Sequence, residues 1–183
     1  MKTKLIPLFS LLLLVACGSS SNQEPTATTT IMQPAAALPT QAEAAFNADS
    51  AYAYVANQVA FGPRVPNTKA HKQCGDYLAA ELVRFGAKVY QQEASLTAYD
   101  GTRLEARNLI GSFNPEQTRR VLLFAHWDCR PYSDHDPDAA NHHKPVDGAD
   151  DGASGVGVLL EITRQLGQKA PQVGVDILFC DAE

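Results

Sequence analysis

Basic clusters, cysteine pairs and long apolar runs are all scarce in this chain of 183 residues. The formal net charge is −5 and no block of lysines or arginines stands out, so nucleic acid is not an expected partner. The apolar stretch 6–15 is shorter than the roughly 20 residues that cross a bilayer as a helix. No internal repeat is visible, and the length suits one globular domain plus a tail rather than two domains.

Cysteine is sparse, with four residues and no pair at the CxxC spacing of a cysteine zinc site. Cys17 belongs to the N-terminal signal described below, which leaves Cys74, Cys129 and Cys180. An odd number of cysteines cannot all pair within one chain. We interpret Cys74 and Cys180 as small buried residues, and the pairing of the three stays open.

The first 16 residues have the organisation of a secretory signal. Lys2 and Lys4 form a short basic start, and the apolar stretch 6–15 follows. The sequence Leu-Val-Ala-Cys at 14–17 is typical of a bacterial lipobox, which predicts diacylglycerol on Cys17. The alternative is an ordinary signal peptide with a chance cysteine. Removal of residues 1–16 takes away two lysines and no acids, so the formal net charge moves from −5 to −7.

Residues 17–42 are rich in Ser, Thr, Pro, Ala and Gln, a composition that predicts a flexible tether. The predicted folded domain therefore spans residues 43–183. We expect the protein in the bacterial cell envelope, anchored by lipid to the outer membrane and facing the periplasm. The absence of aspartate beside Cys17 favours the outer membrane over the inner one.

Hydrophobic periodicity and turn residues predict alternating helices and strands in the folded domain. The predicted elements are a helix at 44–60, a helix between a cap at Asn67 or Thr68 and Gly86, strands at 87–96 and 104–113 joined by a hairpin turn at 99–102, a strand at 121–125, a helix at 153–168 and a strand at 173–180. The apolar runs 121–125 and 173–180 are typical of strands buried on both faces. The predicted fold class is α/β, with a mostly parallel mixed central sheet flanked by helices.

Three clusters of acidic or imidazole residues lie at the boundaries of these elements. They are His126-Trp127-Asp128, Asp150-Asp151 and Asp181-Ala182-Glu183. In a parallel sheet these positions meet at one edge, where ligands bind. Singly, each has a simpler explanation, such as a helix cap or a solvated surface group. Together they form a set of imidazole and carboxylate donors that zinc accepts, and Asp128 could orient the His126 imidazole from behind.

The sequence motifs at these clusters resemble the zinc aminopeptidase and glutaminyl cyclase superfamily. The motifs are HWD at 126–128, GADDGASGVGVLLE at 148–161 and ILFCDAE at 177–183. The segments 61–68 (FGPRVPNT) and 130–143 resemble the bacterial glutaminyl cyclase branch. The resemblance covers residues 47–183 and implies a zinc aminopeptidase-like fold.

The resemblance also implies roles for individual residues. Asp151 holds the ligand position of the Gly-Ala-x-Asp pattern and is expected to bind zinc, whereas Asp150 holds the variable position. Glu183 matches the general acid and base. His126 is the second-metal position if two zinc ions are bound, and a structural residue if one is bound. A cis peptide bond is expected after Asp151.

The activity that the resemblance implies is that of a zinc-dependent glutaminyl-peptide cyclotransferase. Such an enzyme converts the N-terminal glutamine of a peptide or protein to pyroglutamate and releases ammonia. The alternatives are a two-zinc aminopeptidase, which hydrolyses N-terminal residues, and a non-catalytic binding lipoprotein. Substrate preference and oligomeric state stay open.

The family places further zinc ligands, an acidic residue and a distal histidine, beyond the position of Glu183. The resemblance therefore predicts that these 183 residues are an N-terminal part of the domain, with the fold truncated at its C-terminal side. We expect this polypeptide alone to fold poorly and to show no measurable cyclase activity.

Overall fold

The structure of the protein is a computed structural model, and it describes residues 45–183. The predicted signal at 1–16, the lipid attachment at Cys17 and the tether at 17–42 lie outside the described residues. Among residues 45–183, no helix has the length and apolar character needed to span a membrane.

Among residues 45–183, three α-helices form, namely α1 (Ala48–Val59), α2 (Lys69–Arg84) and α3 (Gly155–Gln168). The α1 helix begins later than predicted because Asn47, in an extended conformation, caps it through the Ser50 N–H at 2.9 Å. Of the two predicted caps of α2, Thr68 is the one that accepts from the helix backbone. The α3 helix starts two residues after the predicted position because non-helical backbone at Asp151 and Gly152 precedes it.

Four strands form one sheet in the part of the chain that the structure describes, and their residue ranges are β1 (Lys88–Thr97), β2 (Arg103–Phe113), β3 (Arg120–His126) and β4 (Gly174–Cys180). The strand order is β1-β2-β4-β3. The pairs β1–β2 and β2–β4 are antiparallel, and β3–β4 is parallel. The predicted mixed α/β sheet flanked by helices is confirmed. Fewer of its pairs are parallel than predicted, because only β3 and β4 are joined by the helical crossover that a parallel pair requires.

The prediction that β3 is buried on both faces is wrong, because one face of this edge strand is exposed. Leu122 and Phe124 are 55% and 69% exposed. Leu123 and Ala125, on the opposite face, pack against the core below α3. Alternation along the strand then buries one face only. The apolar run 121–125 shows that the strand is hydrophobic, but it does not reveal which face of the strand packs against another element.

One hydrophobic core lies between the sheet and the helices. The α2 helix packs against β1 and β2, α3 packs against β3 and β4, and α1 packs against α3. Fully buried side chains of this core include Leu78, Leu82, Leu109, Leu160 and Ile177, and each contributes roughly 1.5–3 kcal/mol when removed from water.

The described cysteines are all free. Cys74 and Cys129 are buried, whereas Cys180 is only partly buried. Burial raises the pKa of the Cys74 thiol to about 12, so this side chain behaves as a small apolar group.

The α3 helix also buries a carboxylate, that of Glu161. Arg164 donates two hydrogen bonds to it at 2.7 Å, and the Gln165 amide and the Asn47 N–H donate further ones at 2.9 and 3.0 Å. These donors, led by Arg164, lower the pKa of Glu161 from 4.5 to about 2. The ionised form of Glu161 therefore stabilises the fold, and it fastens the start of α1 to α3.

We expect Glu161→Gln to lower the free energy of unfolding by about 2 kcal/mol at pH 7. The pKa shift of Glu161 corresponds to a somewhat larger energy, which solvent screening at the partly exposed Arg164 reduces. Because the folded-state pKa is depressed, the contribution is complete above the unfolded value of 4.5 and is lost as the pH falls from there toward 2. Urea unfolding at pH 7 and near pH 3 should show the gap between variant and wild type narrowing in acid. Asp76→Asn, which removes an exposed paired carboxylate, should cost less than about 1 kcal/mol; an equal loss in both variants would contradict the prediction.

Candidate metal centre

The parallel pair of strands brings the first and third clusters to one edge of the sheet. His126, the last residue of β3, lies opposite Cys180, the last residue of β4. The segment that follows β4 carries Glu183, and the turn Ala149–Ser154 before α3 carries Asp151. One ligand atom from each of His126, Asp151 and Glu183 lies within 4.8 Å of the others. The three sequence clusters therefore meet at one point.

The His126 imidazole lies among three carboxylates. Its Nε2 atom is 3.0 Å from Asp151 Oδ1, and its Nδ1 atom is 3.1 Å from Glu183 Oε2 and 3.6 Å from Asp128 Oδ1. The side chains of Asp151 and Glu183 are 57% and 63% exposed, whereas that of Asp128 is buried. The cluster is thus open to solvent on the side of Asp151 and Glu183, where a substrate could enter.

Two buried polar atoms of this cluster, His126 Nδ1 and Asp128 Oδ1, have no hydrogen-bond partner. Glu183 Oε2 is near enough to His126 Nδ1 for an ion pair, but it does not complete a hydrogen bond. The predicted support of His126 by Asp128 is likewise not a hydrogen bond, since 3.6 Å is too long. Asp128 Oδ2 instead accepts the Glu183 N–H at 3.2 Å. Asp128 therefore holds the backbone of Glu183.

Negative charge is concentrated at this cluster. Burial, and then the nearby charge of Asp181, raises the pKa of Asp128 to about 6. A divalent cation would offset this charge and favour the ionised carboxylates. One imidazole with several carboxylate oxygens is a donor set that zinc accepts. The residues present, including the two unpartnered atoms, therefore fit a zinc ion.

The turn that carries Asp151 depends on glycine. Gly152 has φ +97°, and a Cβ atom there would lie 2.9 Å from the Asp128 carbonyl oxygen and 3.1 Å from His126 Cε1. Only glycine allows the turn to approach β3 this closely. The described peptide bonds are all trans, so the expectation of a cis bond after Asp151 is wrong. Asp150 is exposed and does not belong to the cluster.

Sequence reasoning missed Arg64, which is fully buried beside the cluster. Its guanidinium donates to the carbonyl oxygens of Trp127, Asp147 and Gly148 at 3.2, 2.7 and 2.6 Å. It therefore joins the end of β3 to the start of the Asp151 turn. The Pro-Arg-Val-Pro segment is typical of a constrained loop, but nothing in the sequence indicates where the Arg64 guanidinium points.

Comparison with known proteins gives this cluster a family context. Residues 108–183, which include His126, Asp151 and Glu183, match the model of peptidase family M28. The chain is 30% identical over 108 residues to YfbL of Escherichia coli (strain K12), an uncharacterized protein; the match covers 59% of this chain and 30% of that protein.

Two solved structures are much more similar. A Zn-dependent exopeptidase from Parabacteroides distasonis is 80% identical with a TM-score of 0.73. The glutaminyl cyclase of Tannerella forsythia is 71% identical with a TM-score of 0.73. Each match covers 73% of this chain and 46% of the other, so the chain spans about half the length of these proteins. The predicted resemblance is confirmed, and the described chain has the zinc aminopeptidase-like fold of peptidase family M28, shared with bacterial glutaminyl cyclases and Zn-dependent exopeptidases.

Proposed function

We propose that the protein is a zinc-dependent glutaminyl-peptide cyclotransferase. The observation that carries this proposal is the meeting of His126, Asp151 and Glu183 on a scaffold similar to a solved glutaminyl cyclase. The substrate would be a peptide or protein with N-terminal glutamine. The products would be N-terminal pyroglutamate and ammonia.

Zinc would be held by Asp151, whose exposed carboxylate faces the open side of the cluster. When bound, zinc supplies Lewis-acid polarisation of the γ-carboxamide carbonyl. His126 lies against Asp151 and would act as a structural residue in a one-zinc site. The geometry of the turn, which Gly152 permits, keeps the Asp151 carboxylate at the end of β3.

Glu183 would move the proton. Its side chain is open to solvent, so a substrate amine can reach it, while Asp128 fixes its backbone N–H. Its carboxylate would take a proton from the α-amine as the nitrogen bonds to the γ-carbonyl carbon. It would then give that proton to the carboxamide nitrogen, which leaves as ammonia when the carboxamide C–N bond breaks. Amine and carboxamide belong to one residue, so much of the entropic cost of bringing them together is already absent.

A two-zinc aminopeptidase is the second candidate. It is favoured by the 3.0 Å separation of His126 Nε2 and Asp151 Oδ1, because two side chains this close could both hold a second metal ion. The zinc-dependent exopeptidase among the similar structures is in keeping with it. In this case Glu183 would act on a water molecule, and the product would be a free amino acid.

The test is to load the full-length protein with zinc and incubate it with two peptides that differ only in an N-terminal glutamine or leucine. We expect ammonia and pyroglutamyl peptide from the first peptide and no cleavage of the second, read by mass spectrometry. Free leucine together with two tightly bound zinc ions, the second lost in His126→Ala, would overturn the cyclase proposal. His135→Ala, in an exposed loop outside the cluster, is the matched control. Zinc-independent binding without turnover would instead support the non-catalytic lipoprotein.

We also propose that the protein is anchored to the outer membrane by lipid on Cys17 and acts in the periplasm. Support comes from the basic start, the apolar stretch 6–15 and the lipobox pattern at 14–17. Fractionation should move the protein from the membrane to the soluble periplasmic fraction in Cys17→Ser. Release of wild type and variant alike would contradict the anchor.

A further inference from the structure

A buried histidine–aspartate pair lies beside the metal centre. The His71 Nε2 atom is 2.9 Å from both carboxylate oxygens of Asp181, and both side chains are buried. An ionised carboxylate only accepts hydrogen bonds, so Nε2 carries the proton in this pair. The His71 ring also stacks on Trp127, with centroids 4.3 Å apart and planes at 17°. None of these three residues has a role in the proposed chemistry above.

The Asp181 carboxylate connects this pair to the segment that carries Glu183. Its Oδ2 atom accepts the Arg107 N–H at 2.6 Å, and its Oδ1 atom accepts the Ala182 N–H at 2.9 Å. The Asp181 N–H donates to Asn108 Oδ1 at 2.9 Å. Asp181 is therefore fixed to α2 through His71 and to β2 through Arg107 and Asn108.

Between the two acids the backbone is strained. Ala182 has φ +61°, a left-handed conformation that a residue with a Cβ atom adopts only when its surroundings hold it there. On one side Asp181 accepts the Ala182 N–H, and on the other Asp128 accepts the Glu183 N–H. The direction in which the Glu183 side chain leaves the backbone thus depends on how firmly Asp181 is held.

His71 itself is held firmly. Its backbone N–H donates to the cap residue Thr68, at the first turn of α2. Its stacking partner Trp127 is fully buried and donates its indole N–H to the Arg107 carbonyl at 3.3 Å. The imidazole therefore has little freedom to turn, and it presents its Nε2–H to Asp181 from a rigid position.

We propose that His71 is a positioning residue for the reaction: through Asp181 and the left-handed Ala182 it aims the Glu183 carboxylate at the open side of the metal centre. This inference rests on the proposed role of Glu183 in proton transfer. His71 contacts none of the exposed groups of the cluster, so its loss should change the rate of the chemical step and leave substrate binding unaltered.

The test compares two substitutions in the zinc-loaded full-length protein. His71→Phe keeps a ring to stack on Trp127 but has no donor for Asp181, and we expect kcat to fall about 10- to 100-fold, as a misplacement on the order of 1 Å does, with KM within about twofold. His71→Gln keeps an N–H donor near the position of Nε2 and should retain kcat within about fivefold. Zinc content should be the same in all three proteins.

A double-variant cycle separates positioning from a general loss of structure. If His71 acts through Glu183, His71→Phe should cause no further loss of kcat in a Glu183→Gln background, because the group that it aims is already absent. The same fold-loss in both backgrounds, or wild-type kcat in His71→Phe, would overturn the inference.

His71→Phe leaves the buried Asp181 charge unpaired, which could prevent folding. In that case the double variant His71→Phe/Asp181→Asn removes the charge, and we expect this double variant to fold, bind zinc and keep the lowered kcat. A wild-type kcat in the double variant would also overturn the inference. Absence of cyclase turnover in the wild type would refute the proposed function, and with it the positioning role. Turnover in the wild type with an unchanged His71→Phe variant would refute the positioning role alone.

Discussion

Glu183→Gln is expected to lower kcat for cyclisation of a glutaminyl peptide by about 10²- to 10⁴-fold, which is the range for loss of a general acid or base. The amide has the shape of the carboxylate but can neither take the proton from the α-amine nor give it to the nitrogen that leaves as ammonia. KM should change little, because the exposed side chain of Glu183 is proposed to act on the proton rather than to bind the substrate. Ammonia release at saturating peptide measures the effect.

Zinc content decides what such a loss would mean. Glu183 lies close enough to His126 and Asp151 to be counted among possible ligands. If Glu183→Gln lost its zinc in proportion to its activity, Glu183 would be a ligand and not the proton carrier. Glu105→Gln, an exposed carboxylate of β2, should keep kcat within about twofold and serves as the matched control.

The site could be predicted from the sequence to the extent that local patterns place residues at the ends of elements. His126 and Glu183 follow apolar runs that form β3 and β4, and Asp151 lies in a glycine-bounded turn before α3. Since parallel neighbouring strands end at one edge, the meeting of these residues follows from the pattern alone. The residue types then indicate a metal, because few other ligands require imidazole and carboxylates together.

The residues around the site could not be predicted because their roles depend on the direction of long side chains. Arg64 lies 63 residues before Trp127, whose carbonyl it binds, and His71 lies 110 residues before Asp181. Neither contact leaves a local pattern, and a lone histidine on a helix face is most simply a core residue. The prediction that β3 is buried on both faces failed for a related reason, since an apolar strand sequence does not reveal which of its faces another element covers.

Asp151→Asn is expected to weaken zinc binding by at least about 100-fold, more than the loss of an outer hydrogen-bond partner of a ligand typically costs. The neutral amide oxygen is a poorer donor to a dication than the carboxylate, and the change removes one negative charge from the cluster. Asp150→Asn is the matched control, because it makes the same change at the neighbouring exposed residue, which does not belong to the cluster.

Competition with a chromophoric chelator measures both affinities. Asp150→Asn should bind zinc as the wild type does, so an equal loss in both variants would mean that the overall negative charge, and not a bond from Asp151, holds the metal. The salt dependence separates these cases as well: attraction by net charge weakens as the ionic strength rises, whereas a direct bond to Asp151 persists. A loss confined to Asp151→Asn would make this carboxylate the ligand, and cyclase activity should then fall in proportion to the zinc that is lost.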